Sequence, residues 1–395
     1  MRIKTIILLV TACLCIVSYA QMGSYRLNIT VSEHDFADTV SIEFDKDRVI
    51  VPVVIDSDTL RFLFDTGAGQ AVVYDDSPIN GCEPCGTITS YDAIGRSAKV
   101  PVLRLPPLRI GRLTLTGCRA TLHKRAVKRG TRAADIDGIL GFDIVNSGLL
   151  VKIDAQQRQL IITDRKKHFK GEQGFSLRYK LHYHVPYITV EPFKGFKERV
   201  LFDTGSRHLY AMKWADFEAA ETLCRKQNPQ QVEGISYGCY AIGLHGTEPY
   251  GRVAFLALDR LSFGGFDFCN VHALTTQGGA HVGAQLLRHG AVVLNPRSKR
   301  IVFQPYSSTD HCVVGNEQLK KAIINENGKP VVGLLWTRSD AYKAGLRQGD
   351  VILKADDRVI DSFADYLSFR HIIGHVYRVI VRDKRGFTKE VLMEW

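Results

Sequence analysis

The chain has 395 residues, 45% of them hydrophobic and 24% charged, with a formal net charge of +11. That length and apolar content suit two or three packed domains of about 100–200 residues each and exclude a disordered chain. The positive balance comes with no aromatic-interleaved basic patch and no nucleic-acid-binding module, so no nucleic-acid partner is expected.

Residues 1–20 read as an export signal peptide. Arg2 and Lys4 open it, Ile6 to Val17 form its apolar stretch, and Ser18-Tyr19-Ala20 close it before Gln21. Val10-Thr11-Ala12-Cys13 resembles a lipoprotein box. The apolar run continues past Cys13 to Val17, which favours cleavage after Ala20 over lipid anchoring. No later stretch reaches the ~20 apolar residues of a membrane-spanning helix. The expected location is a periplasm, or the cell surface and beyond. Cys82, Cys85, Cys118, Cys224, Cys239, Cys269 and Cys312 remain after the signal, and an odd number leaves at least one thiol unpaired within the monomer. Cys82-Glu83-Pro84-Cys85 lacks a second Cys-x-x-Cys or a spaced histidine pair, so neither a metal nor a cofactor is expected.

From Gln21 to Asp164 the pattern is strand after strand. Val40 to Phe44 alternates, Val49 to Ile55 is β-branched, Ser57-Asp58-Thr59 turns, and Leu60 to Phe64 returns to Asp65. Ala71 to Tyr74 follows Asp65-Thr66-Gly67, and Ile88 to Leu103 reads as two strands around a turn near Gly95. Later come Leu108 to Gly111, Ile139-Leu140-Gly141 and Leu149 to Ile153. The basic residues Lys124, Arg125, Lys128, Arg129 and Arg132 cluster in a loop between them.

The same order then repeats. Val185-Pro186-Tyr187 answers Val51-Pro52-Val53, and Asp203-Thr204-Gly205 answers Asp65-Thr66-Gly67. Pro52 precedes its aspartate by 13 positions and Pro186 by 17, so the hairpin turn is expected to have lengthened. A helix is expected over Lys213 to Lys226, then an apolar hairpin region over Ile235 to Phe255. His281-Val282-Gly283 answers Ile139-Leu140-Gly141, with a histidine in an apolar place. The aspartate-to-glycine distances are 76 and 80 positions, which marks a tandem duplication. Lobes are expected over 21–168 and 169–306, each presenting one aspartate. A third unit over 313–395 contains Ala344-Gly345-Leu346 and Gln348-Gly349-Asp350-Val351-Ile352, with a helix expected over Phe363 to Phe369.

Two carboxylates brought together by such a duplication share one proton, because both cannot ionise cheaply at close range. The ionised partner can take a proton from water while the protonated one donates to a carbonyl oxygen. That chemistry is amide hydrolysis without a covalent intermediate. His182 and His184 accompany no convincing Ser or Cys nucleophile and are expected to line a strand.

The paired motifs, Asp65-Thr66-Gly67-Ala68 and Asp203-Thr204-Gly205-Ser206, together with Ile139-Leu140-Gly141, resemble the aspartic proteases of the pepsin and retropepsin type. The likeness spans Val40 to Phe303. It implies a mostly β, bilobal fold, with Asp65 and Asp203 as the catalytic dyad and Thr66 and Thr204 bracing the two loops. It also implies a hairpin flap, best placed at Tyr91, Ile94 and Gly95. Ala68 lacks the hydroxyl that Ser206 could offer its aspartate, an asymmetry that resembles members working nearer neutral pH. The third unit resembles a bacterial PDZ domain, a small α+β module that captures extended peptides at a sheet edge. Val331 to Leu335 is expected near that edge. Together these features resemble exported bacterial aspartyl proteases carrying a C-terminal PDZ domain. The expected partners are a peptide or protein substrate and a peptide ligand of the PDZ domain, with the chain acting as a monomer. A non-catalytic peptide-binding protein that keeps the cleft and the PDZ domain is the alternative.

Overall fold

The computed structural model describes residues 29–125, 135–307, 309–369, 372 and 374–394. The expected signal peptide and most of the basic loop lie outside the described residues. The described chain is mostly β. In its first half, Arg48–Ile55 pairs antiparallel with Asp58–Phe64 through a two-residue turn in which Asp56 takes a left-handed φ of 53°. Alternate side chains of these strands, among them Val49, Val51, Val53, Phe62 and Phe64, enter one large core. Gly138–Leu140 then inserts parallel to Asp58–Phe64 and antiparallel to Ala71–Tyr74, so that Ile139 faces both Leu63 and Val72.

The second half repeats this arrangement. Val185–Phe193 pairs with Phe196–Asp203, and His281–Gly283 inserts between Phe196–Asp203 and Tyr210–Lys213. His281 faces Leu201 and Ala211, as Ile139 faces Leu63 and Val72. This register corrects the matching of the two prolines. Leu63 pairs with Ile50 and Leu201 with Tyr187, so Tyr187, not Val185-Pro186, occupies the place near Ile50. The hairpin turn has not lengthened: Lys194-Gly195 joins Phe193 to Phe196 just as Asp56-Ser57 joins Ile55 to Asp58. A bulge between Val190 and Phe193 accounts for one extra residue.

The halves are joined by a six-stranded sheet to which both contribute. Its centre is the antiparallel pair Leu150–Asp154 and Gly290–Asn295, with Val151 facing Leu294 and Ile153 facing Val292. The helix expected over Lys213 to Lys226 spans Trp214–Gln227 and buries Phe217, Ala220 and Cys224.

The C-terminal unit is a sheet ordered Lys321–Glu326, Lys329–Leu335, Val351–Ala355, Val376–Arg382, Thr388–Glu394, with its own core around Val332, Leu346, Val379 and Val391. Its helix Phe363–Ser368 starts at a capping box in which Ser362 and Asp365 exchange side-chain-to-backbone bonds. Val331 to Leu335, expected near the sheet edge, lies in the strand next to it, and Lys321–Glu326 forms the edge itself. The linker is partly strand, because His311–Val313 pairs parallel with Phe266–Thr276 of the second lobe. The unit sits firmly on that lobe. Leu334 packs with Val253, Phe255 and Leu274, and the Trp336 ring stacks on Phe255 at 5.6 Å. Among the described residues all seven cysteines are unbridged.

Candidate active site

Asp65 and Asp203 each stand where a strand leaves the core. Phe64 and Phe202 are buried at the ends of their strands, and the backbone turns immediately afterwards. The Asp65 N–H donates to the Leu140 carbonyl at 2.9 Å, which ties the first turn to the inserted strand. Gly67 N–H donates to Asp65 Oδ1 at 2.7 Å, and Gly205 N–H donates to Asp203 Oδ1 at 2.9 Å. Each carboxylate is thereby aimed by its own loop.

The loops are locked to each other by the two threonines. Thr66 N–H donates to Thr204 Oγ1 and Thr204 N–H donates to Thr66 Oγ1, both at 3.0 Å. The Thr66 hydroxyl donates to the Phe202 carbonyl at 2.6 Å and the Thr204 hydroxyl to the Phe64 carbonyl at 2.7 Å. Thr66 and Thr204 are almost fully buried, so these four bonds are shielded from water.

Close approach is what requires the glycines. A Cβ on Gly67 would lie 2.6 Å from Asp203 Oδ1, and one on Gly205 would lie 2.5 Å from the Asp65 carboxyl carbon. Each glycine lies against the opposite aspartate, which places the carboxyls side by side; neither has the left-handed φ that motivates many turn glycines.

A side-chain hydrogen bond links the two carboxyls. Burial pushes Asp65 well above the ordinary carboxyl value, and the charge of Asp203 adds to the rise. Burial raises Asp203 too, against the lowering effect of its bond to Asp65. The pair therefore holds a proton between its members and titrates as a unit. Ser206 reaches Asp203 through its N–H at 3.3 Å; among the described residues its hydroxyl makes no hydrogen bond. The hydroxyl-based asymmetry between Ala68 and Ser206 is therefore not engaged in this geometry. Tyrosines flank the pair. Burial raises Tyr74, as does the Asp65 charge against the opposing effect of Arg125; Tyr187 stands in the same relation to Asp203 and Arg199.

The residues expected in the flap lie at the tip of a long hairpin, Glu83–Tyr91 and Ser97–Arg104, with Gly95 at φ +80° in its turn. The tip crosses to the second lobe. The Ala93 carbonyl accepts from Gly279 N–H at 2.9 Å, and the Asp92 carboxylate accepts from His245 N–H at 3.0 Å. Tyr91 stacks on Tyr183 with ring centroids 5.8 Å apart, and Ile94 is buried.

Sequence reasoning missed the partner of this tip. A second hairpin of the other lobe, Ile242–Gly243 with Gly246–Thr247, meets it: the space a Gly243 Cβ would fill is occupied by Asp92 and Ile94. His245 also contacts Ser90 at 3.0 Å and lies 5.4 Å from the His123 ring. Burial, then His245, pushes His123 down to about 4. The signal available in sequence was positional, since this hairpin lies between the second aspartate and the second inserted strand, as the first does in its lobe.

No protein-family model and no curated protein matches the sequence. Among solved structures, the chain is similar to the aspartic proteinase from Irpex lacteus, at 14% identity and a TM-score of 0.44, over 69% of this chain and 98% of that one.

Proposed function

We propose that the chain is an aspartic endopeptidase of the pepsin and retropepsin kind, hydrolysing peptide bonds between Asp65 and Asp203. The observation that carries this reading is the pair itself: a half-buried Asp65 and a buried Asp203, hydrogen-bonded to each other, each aimed by its own glycine N–H and pressed against the other loop's glycine. In the proposed reaction the ionised carboxylate removes a proton from a water lying between the pair. The protonated partner donates to the substrate carbonyl oxygen as the water attacks. Collapse of the tetrahedral species returns a proton to the leaving amine. The two hairpin tips close over the peptide and must part to admit it.

The proposal extends to the rest of the chain. Both half-sites lie on one chain, which supports action as a monomer. The C-terminal unit acts as a PDZ domain; its edge strand Lys321–Glu326 and helix Phe363–Ser368 are the elements for peptide capture. Its apolar seat on the second lobe supports a capping role as well. Export by residues 1–20 is part of the same reading.

The deciding experiment is digestion of an unbiased peptide library by the mature chain, beside Asp65→Asn and Asp203→Asn. Wild type should cut and each variant should fall to background. Wild type that binds peptides without cutting them across a broad pH range supports the binding-protein alternative instead.

A further inference from the structure

The two lobes place different chemistry beside their aspartates. In the first lobe, Ile50, Leu63, Val72 and Ile139 form a small cluster separate from the main core, with Ala68 packed against it. Strand register identifies the counterpart of each in the second lobe. Leu63 and Leu201 both stand two residues before an aspartate. Leu201 pairs with Tyr187 and His281 where Leu63 pairs with Ile50 and Ile139. Ala211 faces His281 where Val72 faces Ile139, and Ser206 occupies the loop place of Ala68. An all-apolar group is thus replaced by one containing a phenol, a hydroxyl and an imidazole.

His281 is the best placed of the three. Two residues before it, Gly279 is bonded to the tip of the first hairpin, and Gly278 lies against Ile94 of the same tip. Two residues after it, Gly283 pairs with Asp203. His281 therefore lies on the strand between the segment bonded to the hairpin tip and the residue paired with Asp203, with Glu248 and His208 as its titratable neighbours. Its Nδ1 donates to the Gly279 carbonyl at 3.1 Å, which leaves Nε2 as the free nitrogen; among the described residues Nε2 has no hydrogen-bond partner. Burial lowers the His281 pKa, which favours the neutral ring and an accepting Nε2.

We infer that the cleft takes an apolar side chain beside Asp65 and an uncharged hydrogen-bonding side chain, of the serine, threonine, asparagine or glutamine kind, beside Asp203, with His281 setting the second preference. An acceptor covered by an aliphatic substrate side chain is left unpaired and disfavours that substrate, because desolvating Nε2 on binding is then uncompensated. The inference rests on the protease reading and names the substrate class of that site.

The test is a cleavage profile from a peptide library, read by mass spectrometry for wild type and His281→Ile, with thermal melts to check folding. Wild type should show aliphatic or aromatic residues on one side of the cut and Ser, Thr, Asn or Gln on the other. His281→Ile, which installs the first lobe's residue, should move only the second preference towards aliphatic side chains, by about tenfold in relative kcat/KM. Apolar preference on both sides in wild type, or an unchanged profile in a folded His281→Ile, overturns the inference while leaving the protease reading intact. Should that variant not fold, the wild-type profile decides alone. Absence of any cleavage by wild type is the separate outcome that removes the protease reading.

Discussion

The two half-sites agree bond for bond at the aspartate loops and part company one strand away. Gly67 and Gly205 aim their carboxylates at nearly equal distances, and the threonine bonds mirror each other. Outside the loops, Leu60 in the first lobe's core is answered by the buried Glu198, and Ile139 by His281. The hairpins differ as well. The second is held at its root by Glu248, which accepts from Tyr240 and Ala241 N–H at 3.0 Å each, from the Thr276 hydroxyl at 2.5 Å and from Gln277 N–H at 3.0 Å. The C-terminal unit grips that root, with Cys239 N–H donating to the Gly333 carbonyl at 3.1 Å. The first hairpin is anchored at its root by strand pairing instead, with Val102, Leu103 and Arg104 facing Thr121, Ala120 and Arg119 of the strand Arg119–His123. Duplication thus preserved the geometry that brings two carboxyls together and let the surroundings diverge, so that strand pairing holds the root of the first hairpin and a buried carboxylate holds that of the second.

The symmetric part is broken most severely at the glycines. Gly67→Ala puts a methyl where Asp203 Oδ1 lies, and Gly205→Ala puts one against the Asp65 carboxyl. Separation of the pair by even ~1 Å should lower kcat/KM about a hundredfold or more. Symmetry demands equal losses for the two variants in peptide cleavage assays. A loss in only one would show that the halves are not equivalent at the carboxyls. Thr66→Val and Thr204→Val come next. Each removes one accepting and one donating bond in a buried site and should cost about 2–4 kcal/mol in urea unfolding. The two costs should agree to within ~0.5 kcal/mol.

Much of this was legible in the sequence because it is written locally. An apolar strand ending in Asp-Thr-Gly, twice, with an apolar-apolar-Gly strand downstream, encodes the turns, the inserted strands and the aspartates within short windows. What was not legible depends on partners distant in the chain. Pro52 and Pro186 looked equivalent because both precede the motif, but pairing with Leu63 and Leu201 shows that they are not. Alternation could identify Leu150–Asp154 and Gly290–Asn295 as strands and could not say that they pair with each other. The interior place of Lys329–Leu335 likewise depends on which neighbours its edges meet. His281 stood out as a histidine in an apolar place, but its free Nε2 and its position beneath the hairpin tip required the fold.

The hairpin comparison is sharpened by one substitution on each side. Glu248→Gln leaves one oxygen for four donors, so the second hairpin's root should loosen, lowering stability by about 2–3 kcal/mol. Asp92→Ala removes bonds to Arg96 and His245 N–H at an exposed tip. It should leave the melting temperature nearly unchanged and, under the proposed protease reading, alter KM severalfold, because there the tip covers the substrate and does not carry the fold. Similar stability losses in both variants would show that the first hairpin's tip carries as much of the fold as the second hairpin's root.

The smallest effect concerns Glu198, the buried acid where the first lobe has Leu60. The Tyr210 hydroxyl donates to it, and Lys213 N–H donates at 3.0 Å. Burial pushes its pKa from 4.5 up to about 8, against the lowering effect of the Tyr210 bond. A carboxyl raised on folding binds its proton more tightly in the native state. Its contribution is then fully present below the unfolded value near 4.5 and is lost as pH rises through about 8. Glu198→Gln keeps an acceptor for Tyr210 and removes the charge. The variant and wild type should therefore respond differently to pH only in that window, with the variant gaining stability relative to wild type as pH rises from about 5 to about 8. Leu60→Gln in the first lobe carries no such titration and should show a constant loss across the same range. Parallel melting curves against pH for wild type and Glu198→Gln would mean that Glu198 is already ionised throughout, stabilised by Tyr210 and Lys213. The divergence of the two lobes would then be one of packing alone.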